Sequence, residues 1–343
     1  HLLLLAGAIF LFETALGENG GATGIRPQVL AENVLVVANS AFPGSAELAR
    51  FYADKRGIPA EQIVSLELPI TEDIDRECFN AEISKPLTGR IQAIKSRILC
   101  IVTVYGVPLN IWDPQPIQTE ISKLKQQLQG IKEGTFQGDA VGLEKRIAEL
   151  EGQVKETAKR AASVDSELTL AGRGHPLEGF VENPFLTESG WPQGCYWVAR
   201  LDASSPEDVR KMIEGALEAE AKGLKGIAYF DARGLSGGSS YARADEAIRG
   251  GAALAKRAGF PVVLDNDEGL FGVGKCPEAA VYWGWYSLTK YVDSFKFVPG
   301  AVAVHIASGE CNSLREGTYW CRNLIANNAA VTAEGGEIGR AQA

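Results

Sequence analysis

Few side chains in this sequence can take up or release a proton near neutral pH: it holds three histidines and six cysteines among 343 residues. His1 heads an apolar run, which leaves His175, in Arg173-Gly174-His175-Pro176, and His305, inside the apolar stretch 301–307. Ser308, Gly309, Glu310 and Cys311 follow His305 closely. Cys311 or Ser308 as nucleophile, His305 or His175 as base, and the N–H groups of Gly309 and Glu310 as oxyanion donors would together make a peptidase-like hydrolase. The competing place for His305 is a satisfied core position, because its neighbours are apolar on both sides.

Polar residues also gather after other apolar runs: Tyr105-Gly106-Val107-Pro108, Arg200-Leu201-Asp202, Asp231-Ala232-Arg233-Gly234 and Gly284-Trp285-Tyr286-Ser287. Asp165 and Glu167, in Val164-Asp165-Ser166-Glu167-Leu168, add two carboxylates on one local face. With Asp202 and Asp231 they form an oxygen-only set of the kind calcium or magnesium prefers. The same letters also fit a structural ion-pair network joining Arg200, Asp202, Asp231 and Arg233. Tyr105, Trp283, Trp285 and Tyr286 offer an aromatic floor for a peptide or a glycan. The dinucleotide fingerprint, the phosphate-binding loop, the GxSxG elbow and the HExxH motif are absent, and no Cys or His spacing suits zinc, so the sequence calls for no metal or cofactor.

These polar groups need elements that bring them to one edge. Short apolar runs at 33–38, 63–68, 98–105, 196–201, 226–230, 261–264, 279–283 and 301–307 read as strands. They alternate with amphipathic stretches at 45–56, 78–96, 206–222, 241–257 and 314–327, which read as helices. This alternation predicts an α/β fold with an open, mostly parallel sheet and helices on both faces, a three-layer arrangement. In such sheets, loops past the carboxyl ends of the strands form the ligand crevice, and the polar clusters fall there. The segment 117–162 departs from the pattern: Ile121, Leu124, Leu128 and Ile131, then Leu143, Ile147, Leu150 and Val154, recur at three-four spacing on either side of 134–138. It predicts an inserted antiparallel coiled-coil hairpin.

Composition fixes the class. With 45% hydrophobic and 22% charged residues and a net charge of −9, the chain is globular and lacks the basic footprint of a nucleic-acid binder. Residues 1–24 resemble the apolar core and cleavage zone of a secretory signal whose charged start is missing, Met212 being the only Met. No other segment is long and apolar enough for a membrane span. A single α/β domain is expected over 25–328, with a truncated or irregular tail over 329–343. Were the chain exported, Cys311 and Cys321, ten apart, are the best placed pair for a local disulfide.

Eight strings, in this order, resemble one bacterial family: NVLVVANSAFPGSAELARFYADKRGIP at 33–59, ILCIVTVYGVPLNIW at 98–112, VDSEL at 164–168, NPF at 183–185, ARLDA at 199–203, YFDARG at 229–234, AAVYWGWYS at 279–287 and FVPGAVAVHIASGE at 297–310. That family is found in genomes encoding the exosortase/PEP-CTERM sorting system and has no established activity. The resemblance covers about residues 30–325. It implies an exported protein in the periplasm or at the surface of a Gram-negative-type bacterium, with exported or surface proteins, peptides or glycans as partners. It also implies that family members continue beyond this chain's last strand-helix unit and that the hairpin is longer than the family's core requires. A weaker similarity, over 279–311, is to the caspase and gingipain type of cysteine peptidase. There Trp285 stands where the histidine belongs and Ser308 where the cysteine belongs, while Cys311 comes three residues late and His305 lies inside the strand. The dyad is degenerate by that comparison. The favoured reading is a binding protein with a degenerate peptidase-like site, and the alternative is a hydrolase using Cys311 or Ser308.

Overall fold

The computed structural model describes residues 28–112, 114–158, 161–173, 184–187, 191–285, 287–307 and 309–333. The leader-like segment 1–24, His175, Tyr286, Ser308 and residues 334–343 lie outside the described residues.

The α/β architecture expected from the alternation of elements is present, with mostly parallel sheets flanked by helices. The strands of the first half are β1 (Val34–Asn39), β2 (Ile63–Leu66), β3 (Asp73–Ile74), β4 (Cys100–Val104), β5 (Asn110–Ile111), β6 (Ala162–Ser163) and β7 (Trp197–Leu201). Those of the second are β8 (Ile227–Asp231), β9 (Val262–Asp265), β10 (Cys276–Trp285), β11 (Phe295–Ile306) and β12 (Val331–Ala333). Hydrogen bonding divides them into two parallel sheets, ordered β2-β1-β4-β7 and β12-β11-β10-β8-β9, with β3-β5-β6 as a small third. The sequence had pointed to one open sheet. The short apolar runs are alike in both halves and carry no mark of which sheet they join. Residues 331–333, expected in an irregular tail, pair in parallel with β11.

Strand β1 shows why these runs are apolar throughout. Val34, Val36 and Ala38 face Leu48, Ala49 and Tyr52 of helix α1 (Ser45–Arg56), while Leu35 and Val37 face Phe79, Ile83 and Leu87 on the opposite side. All five are wholly buried. A strand covered on both faces has no position where a polar residue is favoured, and each such Val or Leu contributes about 1.5–3 kcal/mol through burial. Phe79 and Ile83 lie in a π-helical turn, Phe79–Ser84, that runs into α2 (Lys85–Ala93).

Helices α3 (Gln115–Lys132) and α4 (Ala140–Ala158) lie in the chain between β5 and β6 and pack on each other as a helical hairpin. Ile121, Ile147 and Leu150 are buried in a seam made of hairpin residues alone, flanked by Lys125–Glu151 and Lys132–Glu144 ion pairs at 2.8 and 2.9 Å. The chain returns through α5 (Val164–Thr169) to β7, then α6 (Pro206–Lys222). Ser205 caps α6 by accepting from the Asp208 N–H at 3.2 Å, and Pro206 occupies its first turn, where no N–H is needed.

Helix α6 belongs to both sheets. Val209, Met212 and Ile213 join the core of the first, whereas Gly215 lies against β11 of the second. A Cβ on Gly215 would stand 2.9 Å from the Gly300 nitrogen, so only glycine permits this approach. Helix α7 (Ser240–Arg257) covers one face of the second sheet with Ile248 and Ala252. On the other face, α8 (Trp320–Ala326) packs Trp320 and Leu324. α8 is shorter than the 314–327 expected, because Gly317 adopts φ +76° and residues before Tyr319 form turns instead.

Candidate functional site

The polar residues singled out in the sequence lie at the carboxyl ends of the strands, but in two clusters rather than one. The first is built on Arg200 of β7. Its Nε and Nη2 donate to the two carboxylate oxygens of Asp165, each at 2.8 Å, and Nη1 and Nη2 donate to the carbonyls of Val107 and Pro108 at 2.6 and 2.9 Å. A weaker 3.4 Å bond reaches Asp202. Asp202 is 1% exposed and also meets Arg315 Nη2 at 2.7 Å, an arginine that comes from the loop before α8 of the second sheet. Burial pushes the Asp202 carboxyl up, and the Arg315 and Arg200 guanidiniums pull against it. Arg315 stacks over the rings of Tyr105 and Phe42, at 4.7 and 5.3 Å, and also donates to the Ala203 carbonyl.

Asn39, at the end of β1, ties this cluster's loops together and is wholly buried. Its amide donates to the carbonyls of Gly106 and Pro69, and its oxygen accepts from Ala41 and Leu68. Gly106 has φ +86°, and an added Cβ there would meet the Phe42 ring at 2.2 Å. Glu167 does not share a face with Asp165 as expected. It turns to Arg76, at 2.6 Å, because residues two apart on a helix diverge.

The second cluster lies on β8, β10 and β11, where Asp231, Gly284 and His305 are aligned across neighbouring strands. Tyr282, two residues before Gly284 on the same face, brings its hydroxyl over the glycine. A Cβ on Gly284 would stand 2.4 Å from that hydroxyl and 2.7 Å from Asp231 Cβ. The hydroxyl is 2.9 Å from His305 Nδ1, and the imidazole stacks on Trp320 at 3.6 Å. Burial raises the Asp231 carboxyl to about 7, and it raises the Tyr282 phenol well above its ordinary value. Nearby, Trp285 donates its indole N–H to Asp245 at 3.0 Å and is covered by Tyr241 and by Arg233, whose guanidinium carbon lies 5.6 Å from the ring. Asp245, on α7, also accepts from the Arg233 and Leu235 amides and from Arg249. Burial pushes its carboxyl up, but these donors outweigh burial and hold it below its ordinary value.

Several expectations are corrected by this geometry. Cys311 is bonded to Cys321, as their spacing suggested, and so presents no thiol for attack. His305 is 2% exposed, engaged by Tyr282 and Trp320, and cannot meet a substrate as a surface base. Tyr105 and Trp285 are each 6% exposed and stand in different sheets, so they form no shared aromatic floor. Glu310 is buried and accepts from the Thr289 and Trp320 amides at 2.6 and 3.0 Å, which makes it a loop anchor and a cap for α8. Asp202 with Arg200 and Asp231 with Arg233 are divided between the clusters, so the four-residue network does not form. Among the described residues no three His, Cys, Asp or Glu gather to hold a metal, the oxygen-only set being divided by Arg200, Arg76 and the separation of the sheets.

Tyr282, Asp245 and Arg315 were missed in the sequence, whereas Gly284 was marked only as part of a strand-end cluster. Tyr282 shares with Gly284 an apolar run rich in aromatics, which is the one signal the missed residues left there. Cys100 and Cys276 are no substitute for a nucleophile, since burial lifts their thiols to about 12. Comparison with known proteins returned no matching family model, curated protein or solved structure. Among the described residues no helix is long and apolar enough to cross a membrane.

Proposed function

We propose that this is an exported protein that binds an extended peptide segment of another exported protein without hydrolysing it. Support for export comes from the leader-like residues 1–24 and from the Cys311–Cys321 disulfide, a bond that persists in oxidising compartments. Two members of the candidate site weigh against hydrolysis: Cys311 is consumed by its bond, and His305 is enclosed between Tyr282 and Trp320.

The observation that carries peptide recognition is the outer edge of β9. The carbonyls of Pro261 and Asp265 accept from Ala228 of β8 and from Ala232 just beyond it. By alternation, the N–H and C=O groups of Val262 and Leu264 therefore point away from the sheet, and among the described residues no strand pairs with them. Val263 and Leu264 are 41% and 39% exposed, so an added strand would find apolar contacts on both faces. Strand addition is a recurrent mode of peptide capture. A glycan needs an open aromatic platform, and both Trp285 and Tyr105 are covered.

The test uses the oxidised protein, a fluorescent peptide of alternating Val and Thr, and a neutral oligosaccharide. The peptide is expected to bind and to remain intact. Leu264→Pro removes one outward N–H at an edge position that tolerates proline, and should weaken binding at least tenfold while the fold is retained. Binding of the oligosaccharide alone, an unchanged peptide affinity in that variant, or peptide cleavage lost on His305→Ala would each replace this reading.

A further inference from the structure

The span closed by the disulfide holds residues 312–315, which make polar contacts to the first sheet's loops. Asn110 donates to the Asn312 carbonyl at 3.2 Å. The Ser313 hydroxyl and the Leu314 amide donate to the two oxygens of Glu72 at 2.5 and 2.8 Å. Arg315 grips Asp202 and Ala203 and lies on Tyr105 and Phe42. The span has little regular structure of its own, since residues 312–319 are turns and bends ahead of α8. Its two ends are fixed by the bond between Cys311, which is partly exposed, and Cys321, which is 2% exposed in the first turn of α8 and packs in the first sheet's core. A short irregular span that must hold four residues against another sheet loses much of its order once one end is released, because the free chain regains conformational freedom.

We infer that the Cys311–Cys321 disulfide is a thiol-exchange site, and that its reduction by a dithiol unlatches 312–315 from the first sheet and uncovers Tyr105 and Asp202. The less buried of the two cysteines, Cys311, directs the chemistry. A dithiol's thiolate attacks Cys311 Sγ, forming a mixed disulfide there and expelling the Cys321 thiolate, which takes a proton. The second thiol of the reductant then attacks its own sulfur in the mixed disulfide, releasing Cys311 as a thiol. Two electrons pass to the protein and the reductant leaves as a cyclic disulfide. The sheets stay joined throughout, because α6 packs on both independently of this span.

Amide hydrogen exchange on the full chain, before and after treatment with dithiothreitol, tests the inference. Reduction is expected to speed exchange at least tenfold at Leu314, Cys321 and Gly106, and to leave Val36 and Val102 unchanged; reoxidation should restore the original rates. The Cys311→Ser/Cys321→Ser double variant should show the fast pattern with or without dithiothreitol. Unchanged rates at Leu314 and Gly106 would overturn the latch, as would acceleration that spreads equally to Val36 and Val102, since the bond would then serve the whole fold. Peptide binding at β9 is not used in this readout, so the two proposals fail separately.

Discussion

Burial moves the Asp231 carboxyl from its ordinary value near 3.8 up to about 7, with the neighbouring Asp265 adding to the rise and the Phe271 amide and Arg233 opposing it. Between those values the folded protein keeps a proton that the unfolded chain has released. The associated stability is therefore present in full below about pH 4, declines as the pH rises, and is lost through pH 7. The span corresponds to roughly 4 kcal/mol. Asp231→Asn keeps the shape of the side chain without its charge, so it should raise stability at pH 8 and change it little at pH 4. Urea unfolding at both values checks this, and an equal gain at the two would assign the effect to packing. The sequence displayed Asp231 plainly, at the end of an apolar run. It could not display the Tyr282 hydroxyl above Gly284, because that contact exists only through the register of three strands.

At the scale of elements, α1 and α6 were legible to the residue, since Ser45–Arg56 and Pro206–Lys222 are bounded by local signals: a glycine after one and a capped proline at the start of the other. The 312–319 loop was not legible, because its shape depends on Glu72, Asp202 and the disulfide, all distant or covalent partners. The hairpin stands between these cases. Its seam was readable from three-four spacing, and since Ile121, Ile147 and Leu150 bury one another, it owes the sheets nothing. Replacing residues 116–157 by a short Gly-Ser linker should therefore leave a folded protein whose thermal midpoint lies within a few degrees of the parent. A loss of the cooperative transition would show that the hairpin supports the core.

Across the whole molecule, α6 binds the two sheets into one unit together with α8, whose Cys321 and Ile325 join the first core and whose Trp320 and Leu324 join the second. Ile213 is 2% exposed within the first sheet's core, one turn or less from the glycine that meets β11. Ile213→Ala is expected to cost about 2–5 kcal/mol and to destabilise both halves in step. Exchange at Val36 and indole fluorescence from the Trp320 side should show the same shift in urea midpoint; separate shifts would mean that the halves unfold independently. The seam of the hairpin has a kinetic side as well. More than forty residues separate β5 from β6, and as a loose loop they would add a closure entropy that grows with the logarithm of their number. Because α3 and α4 zip together from a local turn, their two ends arrive already close, and the β5–β6 pairing forms as though across a far shorter connection. The insertion thus adds length to the chain with little added delay in reaching the native topology.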